Sequence, residues 1–323
     1  HIALADRTDL VLIAPATANV CAKLAHGLAD DMLTTTILAC RCPKLIAPAM
    51  NTGMFENPVT QDNLELLRKY GWEVIAPASG RLACGDVGAG KLPEPDALLQ
   101  HVLRQLALPH DLEGKRVLVT AGPTQEPLDP VRYLTNHSSG KMGYAIARMA
   151  MLRGARVTLI SGPTALTPPP FVEVVPVVSA QDMFEAVAAR QEQADYIFKA
   201  AAVADYTPDR VSDTKIKKCD GDMCITLRRT RDIAAELGAH KGGRLLVGFA
   251  LETHDEQAHA EAKLEKKNFD FIVLNSLRDA GAGFRGDTNK VTFIDRSGRE
   301  ELPLMPKSEV AERIADKIES LLK

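Results

Sequence analysis

The sequence predicts two α/β domains with mainly parallel sheets, and three observations carry that prediction. Short aliphatic runs ending in small residues recur along the chain, each followed by a helical stretch. Continuous apolar strands alternating with helices imply a parallel sheet covered on both faces. The rhythm stops at residues 105–115 and restarts at Arg116, which marks an interdomain connection. The length, 323 residues, suits two domains of ordinary size. The expected boundaries are 1–109 and 115–323.

Asp9–Pro15, Pro43–Pro48 and Trp72–Pro77 read as buried strands. Thr60–Tyr70 reads as a helix, with Leu64 and Leu67 on one face and Gly71 as its stop. In the second half the strand-like runs are Arg116–Thr120, Ala155–Ile160, Ala194–Phe198, Leu245–Phe249, Phe269–Leu274 and Lys290–Ile294. Met142–Arg153 has helical spacing. Ser308–Lys323 carries Val310, Ile314, Ile318 and Leu321 on one face and reads as a closing amphipathic helix.

Composition narrows the function. Net charge is −3, from 39 basic and 42 acidic residues, which argues against nonspecific binding along a nucleic acid backbone. No apolar run reaches the ~18–20 residues a membrane span needs. The six cysteines show no zinc spacing and no dense disulfide framework, so reduced thiols in a cytoplasmic protein are expected.

In the first half, each strand ends in Ala-Pro and then a small or polar loop, where open α/β sheets bind ligands. The loops are Pro15–Asn19, Pro48–Asn51 and the Gly-rich Ala83–Lys91 around Cys84. A Cys in a mobile Gly loop can donate or accept a proton, or simply fill a turn. Asn51 can hold a carboxylate or stabilise its own turn.

Four blocks, in order, resemble the flavin-dependent cysteine decarboxylases. They are His1-Ile2-x-Leu4, Ala14-Pro15-Ala16-Thr17-Ala18-Asn19, Pro48-Ala49-Met50-Asn51 and Ala83-Cys84-Gly85-Asp86-x-Gly88-x-Gly90. The resemblance implies a flavodoxin-like fold with FMN. It matches His1 to the family's active-site histidine, Asn51 to its substrate-carboxylate contact and Cys84 to its proton donor on a closing flap. Thr17, Asn19 and Thr34 fall where the family contacts FMN. The family's flavin-phosphate loop lies upstream of the histidine, so the chain is expected to lack its N-terminal segment.

In the second half, Thr120–Thr124 follows a strand without a GxGxxG spacing, and Asn136-His137-Ser138-Ser139-Gly140-Lys141-Met142-Gly143 opens a helix without a Walker A pattern. Small residues at a helix N-terminus suit a phosphate or simply cap the helix. Ala200–Tyr206 presents small side chains and Asp205. That carboxylate suits a ribose hydroxyl, a metal ion or a cap. Lys215-Ile216-Lys217-Lys218 can neutralise a polyphosphate or form a solvated basic loop. Lys263 and Lys267 share one helical face, beside Glu261 and Glu265.

These strings, with Val247-Gly248-Phe249-Ala250, resemble the phosphopantothenate–cysteine ligases. Together the halves resemble the bifunctional decarboxylase/ligase family of coenzyme A biosynthesis. The resemblance implies a second Rossmann-like domain. There CTP with Mg2+ activates 4′-phosphopantothenate as an acyl-cytidylate, which the cysteine amine then captures. It matches Lys215 to the lysine of the activation step and Asn136 to the asparagine that handles the intermediate. Asp205 (with the possible metal contact), Phe249, Lys263 and Lys267 match nucleotide contacts. So do Ser138, Ser139, Gly140, the backbone of Lys199, Ala200 and Ala201, and the Arg231, Asp232, Ile233, Ala234 turn. Lys199 stands where the family leads one to expect a small residue. The resemblance further implies ligase dimers and decarboxylase trimers. Two other readings are an NAD(P)-dependent oxidoreductase and a non-catalytic flavoprotein regulator. The missing GxGxxG counts against the first and an intact ligase half against the second.

Overall fold

The computed structural model describes every residue except 82–86, 219, 253–254, 277–285 and 323. It contains two compact units, residues 1–109 and 110–323.

In the first unit the order is α1 (Ile2–Ala5), β1 (Val11–Ala16), α2 (Ala18–His26), α3 (Met32–Ala39), β2 (Lys44–Pro48), α4 (Thr52–Glu56), α5 (Pro58–Lys69), β3 (Glu73–Val74), β4 (Ala78–Arg81), β5 (Val87–Lys91) and α6 (Pro95–Leu106). Strands β1, β2 and β3 pair in parallel in that order, with Leu12 opposite Leu45 and Leu45 opposite Glu73. Both faces are buried, as the unbroken apolar runs require. Ile46 packs with Ile13, Cys21, Ile37, Leu64 and Leu67, whereas Leu45 and Ala47 pack with Ile75 and Leu98. Helix α5 starts on Pro58 behind an Asn57 cap. Beyond its C-terminus, Gly71 takes a left-handed φ of 85°. Strand β3 is shorter than the Trp72–Pro77 run. It pairs with β2 alone, and Pro77 has no N–H to extend that ladder.

The second unit runs β6 (Arg116–Ala121), β7 (Gln125–Pro127), β8 (Tyr133–Thr135), α7 (Lys141–Leu152), β9 (Arg156–Ser161), β10 (Glu173–Pro176), α8 (Ala180–Ala188) and β11 (Tyr196–Lys199). It continues β12 (Tyr206–Pro208), β13 (Leu227–Arg229), α9 (Ile233–Ala239), β14 (Leu245–Glu252), α10 (Glu256–Lys266), β15 (Phe271–Ser276), β16 (Thr288–Asn289), β17 (Val291–Asp295), β18 (Gly298–Glu301), β19 (Met305–Pro306) and α11 (Lys307–Leu322). Its main sheet has the order β10-β9-β6-β11-β14-β15-β17-β18. The first six strands are parallel, and β17 and β18 close the edge antiparallel. The six parallel strands, numbered along the chain, lie 3-2-1-4-5-6, the Rossmann order. Both domains are α/β with mainly parallel sheets, as the strand rhythm predicts.

This order sets where a ligand goes. The chain winds outward from β6 to β9 and β10, then crosses to β11 and winds the other way. A crevice must open outside the carboxyl ends of β6 and β11, where the two directions diverge. One sheet face packs Leu118, Ile197, Leu246 and Ile272 against Ile233 and Leu237 of α9 and Leu264 of α10. Helix α7 covers the other face, where a Cβ on Gly143 would come within 2.5 Å of the Ala121 Cβ.

Candidate active site

In the second unit, a cleft of about 750 Å³ lies along the carboxyl ends of β11, β14 and β15. Its floor is the small-residue run Ala200–Ala204, which the sequence singles out. The run is held flush against the loop after β6. Ala202 N donates to Gly122 O at 2.9 Å, Ala201 N to Thr120 Oγ1 at 3.2 Å and Ala204 N to Thr124 Oγ1 at 3.0 Å. Each buried threonine hydroxyl thereby fixes the backbone a planar ligand would meet.

One end of the cleft is the start of α7. Ser138, Ser139 and Gly140 line it, with Lys141 to Gly143. Gly140 has φ +80°, and a Cβ there would lie 2.8 Å from Thr164 Cγ2, so the chain can enter the helix this way only through glycine. The N-cap residue, Gly140, has no side chain with which to cap the helix. Its first N–H groups and the positive end of its dipole therefore face the cleft, as an anion site needs.

The other end is formed by the Arg231–Ala234 turn, the start of α9, and Lys263 and Lys267. Asp232 caps α9 by accepting from Ala235 N at 2.9 Å, and its other oxygen pairs with Lys267. Burial opposes that carboxylate's ionisation, yet Lys267 and the Ala235 amide hold its pKa below the ordinary value. The Arg231 guanidinium lies 3.6 Å from the Phe184 ring centre. Lys199, at the end of β11, also lines the cleft. Burial, reinforced by Lys263, pushes its pKa down to about 8. Asp205, Phe249, Ala200 and Ala201 complete the predicted set that the cleft gathers.

Two predicted residues lie outside it. Asn136 stands behind the floor: its Nδ2 donates to Ala202 O and its Oδ1 accepts from Ser138 N at 3.0 Å. It thus links the floor to the phosphate-type cradle. Lys215 is exposed, in a loop beyond β12. That loop is tied down one residue later. Ile216 N donates to Asp129 Oδ2 at 3.1 Å, and Arg132 Nη2 donates to Ile216 O at 2.7 Å. Asp129, hydrogen-bonded by Arg132 and by the Val131 and Arg132 amides, is held well below the usual carboxylate range.

Several cleft residues escape the sequence reading. Arg229 and Thr230 lie on and beyond β13, a strand with no apolar pattern. Asn275, Asn289 and Lys307 come from β15, β16 and α11. The Oδ1 atoms of Asn275 and Asn289 are buried without a hydrogen-bond partner among the described residues. An Asn directly after an apolar strand is the only signal that points to Asn275.

In the first unit, Thr17 and Asn19 follow β1 and Asn51 follows β2, and the bond from Ala49 N to Ala16 O (2.9 Å) holds those two strand ends together. Thr17 caps α2 through Val20 N, and Asn19 sits in that helix's first turn. Asn51 caps α4 through Gly53 N at 2.9 Å, so the turn reading of this residue holds alongside any ligand role. Strand β5 crosses directly over it: Met50 N donates to Gly90 O, and a Cβ on Gly90 would meet Met50 O at 2.2 Å. Beside it the Thr52 hydroxyl is buried with no hydrogen-bond partner among the described residues. That orphaned hydroxyl can donate to a bound group rich in acceptors, such as a flavin. Thr34 is nearly inaccessible, and its hydroxyl is engaged in a capping box with Asp31. His1 is exposed at the start of α1. Cys84 lies outside the described residues.

Comparison with known proteins decides the family. The model of the DNA/pantothenate metabolism flavoprotein C-terminal domain matches residues 112–322, and the flavoprotein model matches residues 1–107. The chain belongs to the DNA/pantothenate metabolism flavoproteins. It is 50% identical, over its whole length and 80% of the relative, to the coenzyme A biosynthesis bifunctional protein CoaBC of Bacillus subtilis. It is 48% identical, over its whole length and 92% of the relative, to a cysteine/cysteine sulfinic acid decarboxylase of an unknown prokaryotic organism. Among solved structures it resembles the C-terminal domain of a coenzyme A biosynthesis bifunctional protein CoaBC. That match has 48% identity and a TM-score of 0.57, and covers 65% of this chain and 97% of that one. No helix among the described residues of this flavoprotein is long and apolar enough to cross a membrane.

Proposed function

We propose that this flavoprotein carries out two steps of coenzyme A biosynthesis: CTP-dependent ligation of 4′-phosphopantothenate to cysteine in the second unit, and FMN-dependent decarboxylation of the product in the first. The observation that carries the ligase reading is the cleft with two unlike ends. An uncapped helix N-terminus suits phosphates, and a turn with lysines, an aspartate and apolar walls suits a nucleoside.

In the ligase step a carboxylate oxygen of 4′-phosphopantothenate attacks the α-phosphorus of CTP. The bond to the β-phosphate oxygen breaks, and pyrophosphate leaves. The mixed anhydride carries the cytidylate as a good leaving group. The cysteine amine adds to its carbonyl, loses a proton and expels CMP. The α7 amides oppose the charge that builds on the phosphates, because such donors are already oriented. Lys215 neutralises the departing pyrophosphate. Asn136, bonded to both Ala202 and Ser138, keeps the acyl group in register with the cradle. Mg2+ arrives with the triphosphate. A lone carboxylate such as Asp205 suits an ion that keeps most of its ligands as water and phosphate oxygen. No group of three or more metal-ligating side chains occurs among the described residues.

In the first unit, FMN when bound supplies the two-electron oxidation of the cysteinyl thiol that makes the carboxylate leave as CO2. Thr17 and Asn19 hold the flavin at the α2 N-terminus, Asn51 orients the substrate carboxylate and His1 moves a proton. The expected assembly is a homo-oligomer, with dimers through the ligase unit and trimers through the flavin unit, in the cytoplasm.

The test is an assay of the chain with CTP, 4′-phosphopantothenate and cysteine, with and without FMN. Pyrophosphate release that depends on phosphopantothenate, followed by CMP release that depends on cysteine, supports the ligase. CO2 release that depends on FMN supports the decarboxylase. NADPH oxidation with no pyrophosphate release would return the chain to the oxidoreductase reading.

A further inference from the structure

We propose that the Lys199 side chain is a nucleobase contact of the ligase cleft, donating a hydrogen bond to an acceptor on the base. The inference rests on the CTP reading of this cleft and deepens it, because only the backbone of residue 199 is expected to matter there.

Register places the side chain. Lys199 pairs with Thr120 across β11 and β6, so both point to the same face of the sheet. The next residue on β6, Ala121, points to the opposite face, where α7 packs. Lys199 therefore stands on the α9 and α10 side, above Ile197, which packs against Ile233 and Leu264. The phosphate cradle belongs to α7. A nucleotide with its phosphates at α7 lays its base toward the end where Lys199 stands. That end also carries apolar surface from Ile233 and Ala234 to flank a planar ring.

The charged groups that face Lys199 are Asp205 beyond β11, Asp232 at the start of α9, and Lys263 and Lys267 at the end of α10. Asp232 is already engaged by Lys267 and by the Ala235 amide. The Lys199 side chain makes no hydrogen bond among the described residues. A partly buried ammonium that lines the cleft without an acceptor is poorly satisfied, and a ligand carbonyl or ring nitrogen would satisfy it. Cytosine offers both, at O2 and N3. The depressed pKa of about 8 is what such a preformed, unsatisfied donor should show. An accepting ligand raises that pKa, so binding is strongest with Lys199 protonated. It weakens as pH rises through the value of the free enzyme.

The experiment measures binding of CTP and CMP to the full chain and to Lys199→Met and Lys199→Arg. Calorimetry is run between about pH 7 and pH 9.5, where phosphate ionisation is largely complete. Steady-state ligase kinetics and thermal melts accompany it. The expected result is a ten- to hundredfold weaker affinity of Lys199→Met for both nucleotides, seen as a raised KM with kcat little changed. The wild-type loss of affinity at alkaline pH should vanish in Lys199→Met and be partly replaced in Lys199→Arg. Lys199→Met should melt no lower than wild type, since a partly buried charge without a hydrogen-bond acceptor has been removed. Equal affinity and the same pH dependence in wild type and Lys199→Met would overturn the inference, as would a loss confined to CTP, which would mark a phosphate contact. If wild type itself binds neither nucleotide and releases no pyrophosphate, the failure belongs to the ligase reading instead.

Discussion

Residues 136 and 215 both stand off the cleft, yet by different means. Asn136 has both ends of its amide engaged, one on the floor and one on the α7 entrance. Asn136→Asp removes the donor to Ala202 and places a negative charge beside the phosphate cradle. Activated acyl-cytidylate should accumulate, seen by quench and chromatography; normal turnover with nothing trapped would exclude a role in handling it. The chain at Lys215 is tied through the backbone of its neighbour, by Asp129 and Arg132. Lys215→Gln keeps those ties, so it removes charge without loosening the loop. Pyrophosphate release from CTP and phosphopantothenate should fall by more than about a hundredfold, in line with the loss of one charge-stabilising contact in a transition state. Unchanged release would take Lys215 out of the mechanism.

Helix α7 shows how one element makes the cradle. Gly140 supplies the left-handed entry and Gly143 the close approach to β6. Gly143→Ala brings a methyl group into the Ala121 side chain, and the helix must retreat from the sheet. Overpacking of this kind costs about 1–3 kcal/mol. Chemical denaturation should show a loss of that size, and CTP affinity should fall with it because the first-turn amides move away from the phosphates. Were stability lost with affinity intact, the amides would not be the anchor. The sequence marks this helix clearly, through the serines, the glycines and the apolar period. Strands β12 and β13 and the pair β16–β19 leave almost no pattern, because each is two or three residues long and partly exposed.

For the second unit as a whole, one buried guanidinium ties the sequence ends of the fold. Arg153, just after α7, pairs with Asp111 at the start of the unit and Asp316 on α11. Its side chain is 7% exposed. The hydrogen bond from Arg153 is the main reason the Asp111 carboxyl titrates below its ordinary value. A carboxylate with a depressed folded pKa stabilises the fold above its unfolded pKa, near 3.9, and loses that contribution as pH falls through the folded value. Arg153→Met should therefore lower stability by about 3 kcal/mol at neutral pH. The gap from wild type should narrow below about pH 4, where Asp111 is protonated in the unfolded chain. Urea melts across that range check it; a gap that stays constant in acid would mean the ion pair is not its source.

What the sequence determined by itself is the grammar. Leu118, Ile197 and Leu246 had to alternate with Val117, Phe198 and Val247 on a sheet buried on both faces, and the small residues at the strand ends had to leave room for a ligand. The strings Asn136–Gly143 and Ala201–Tyr206 carried the family and most of the cleft, because a backbone that must approach a ligand tolerates few side chains. Only the tertiary structure decided which lone polar residues join them. Asn275 lines the cleft from the end of the parallel strand β15, whereas Asn289 and Lys307 reach it because the β16–β19 pair and the start of α11 fold back onto it, and no local pattern encodes that return. It likewise decided that Lys199 faces α9 rather than α7, since a side chain's face follows from strand register, and register is fixed by neighbours distant in the chain.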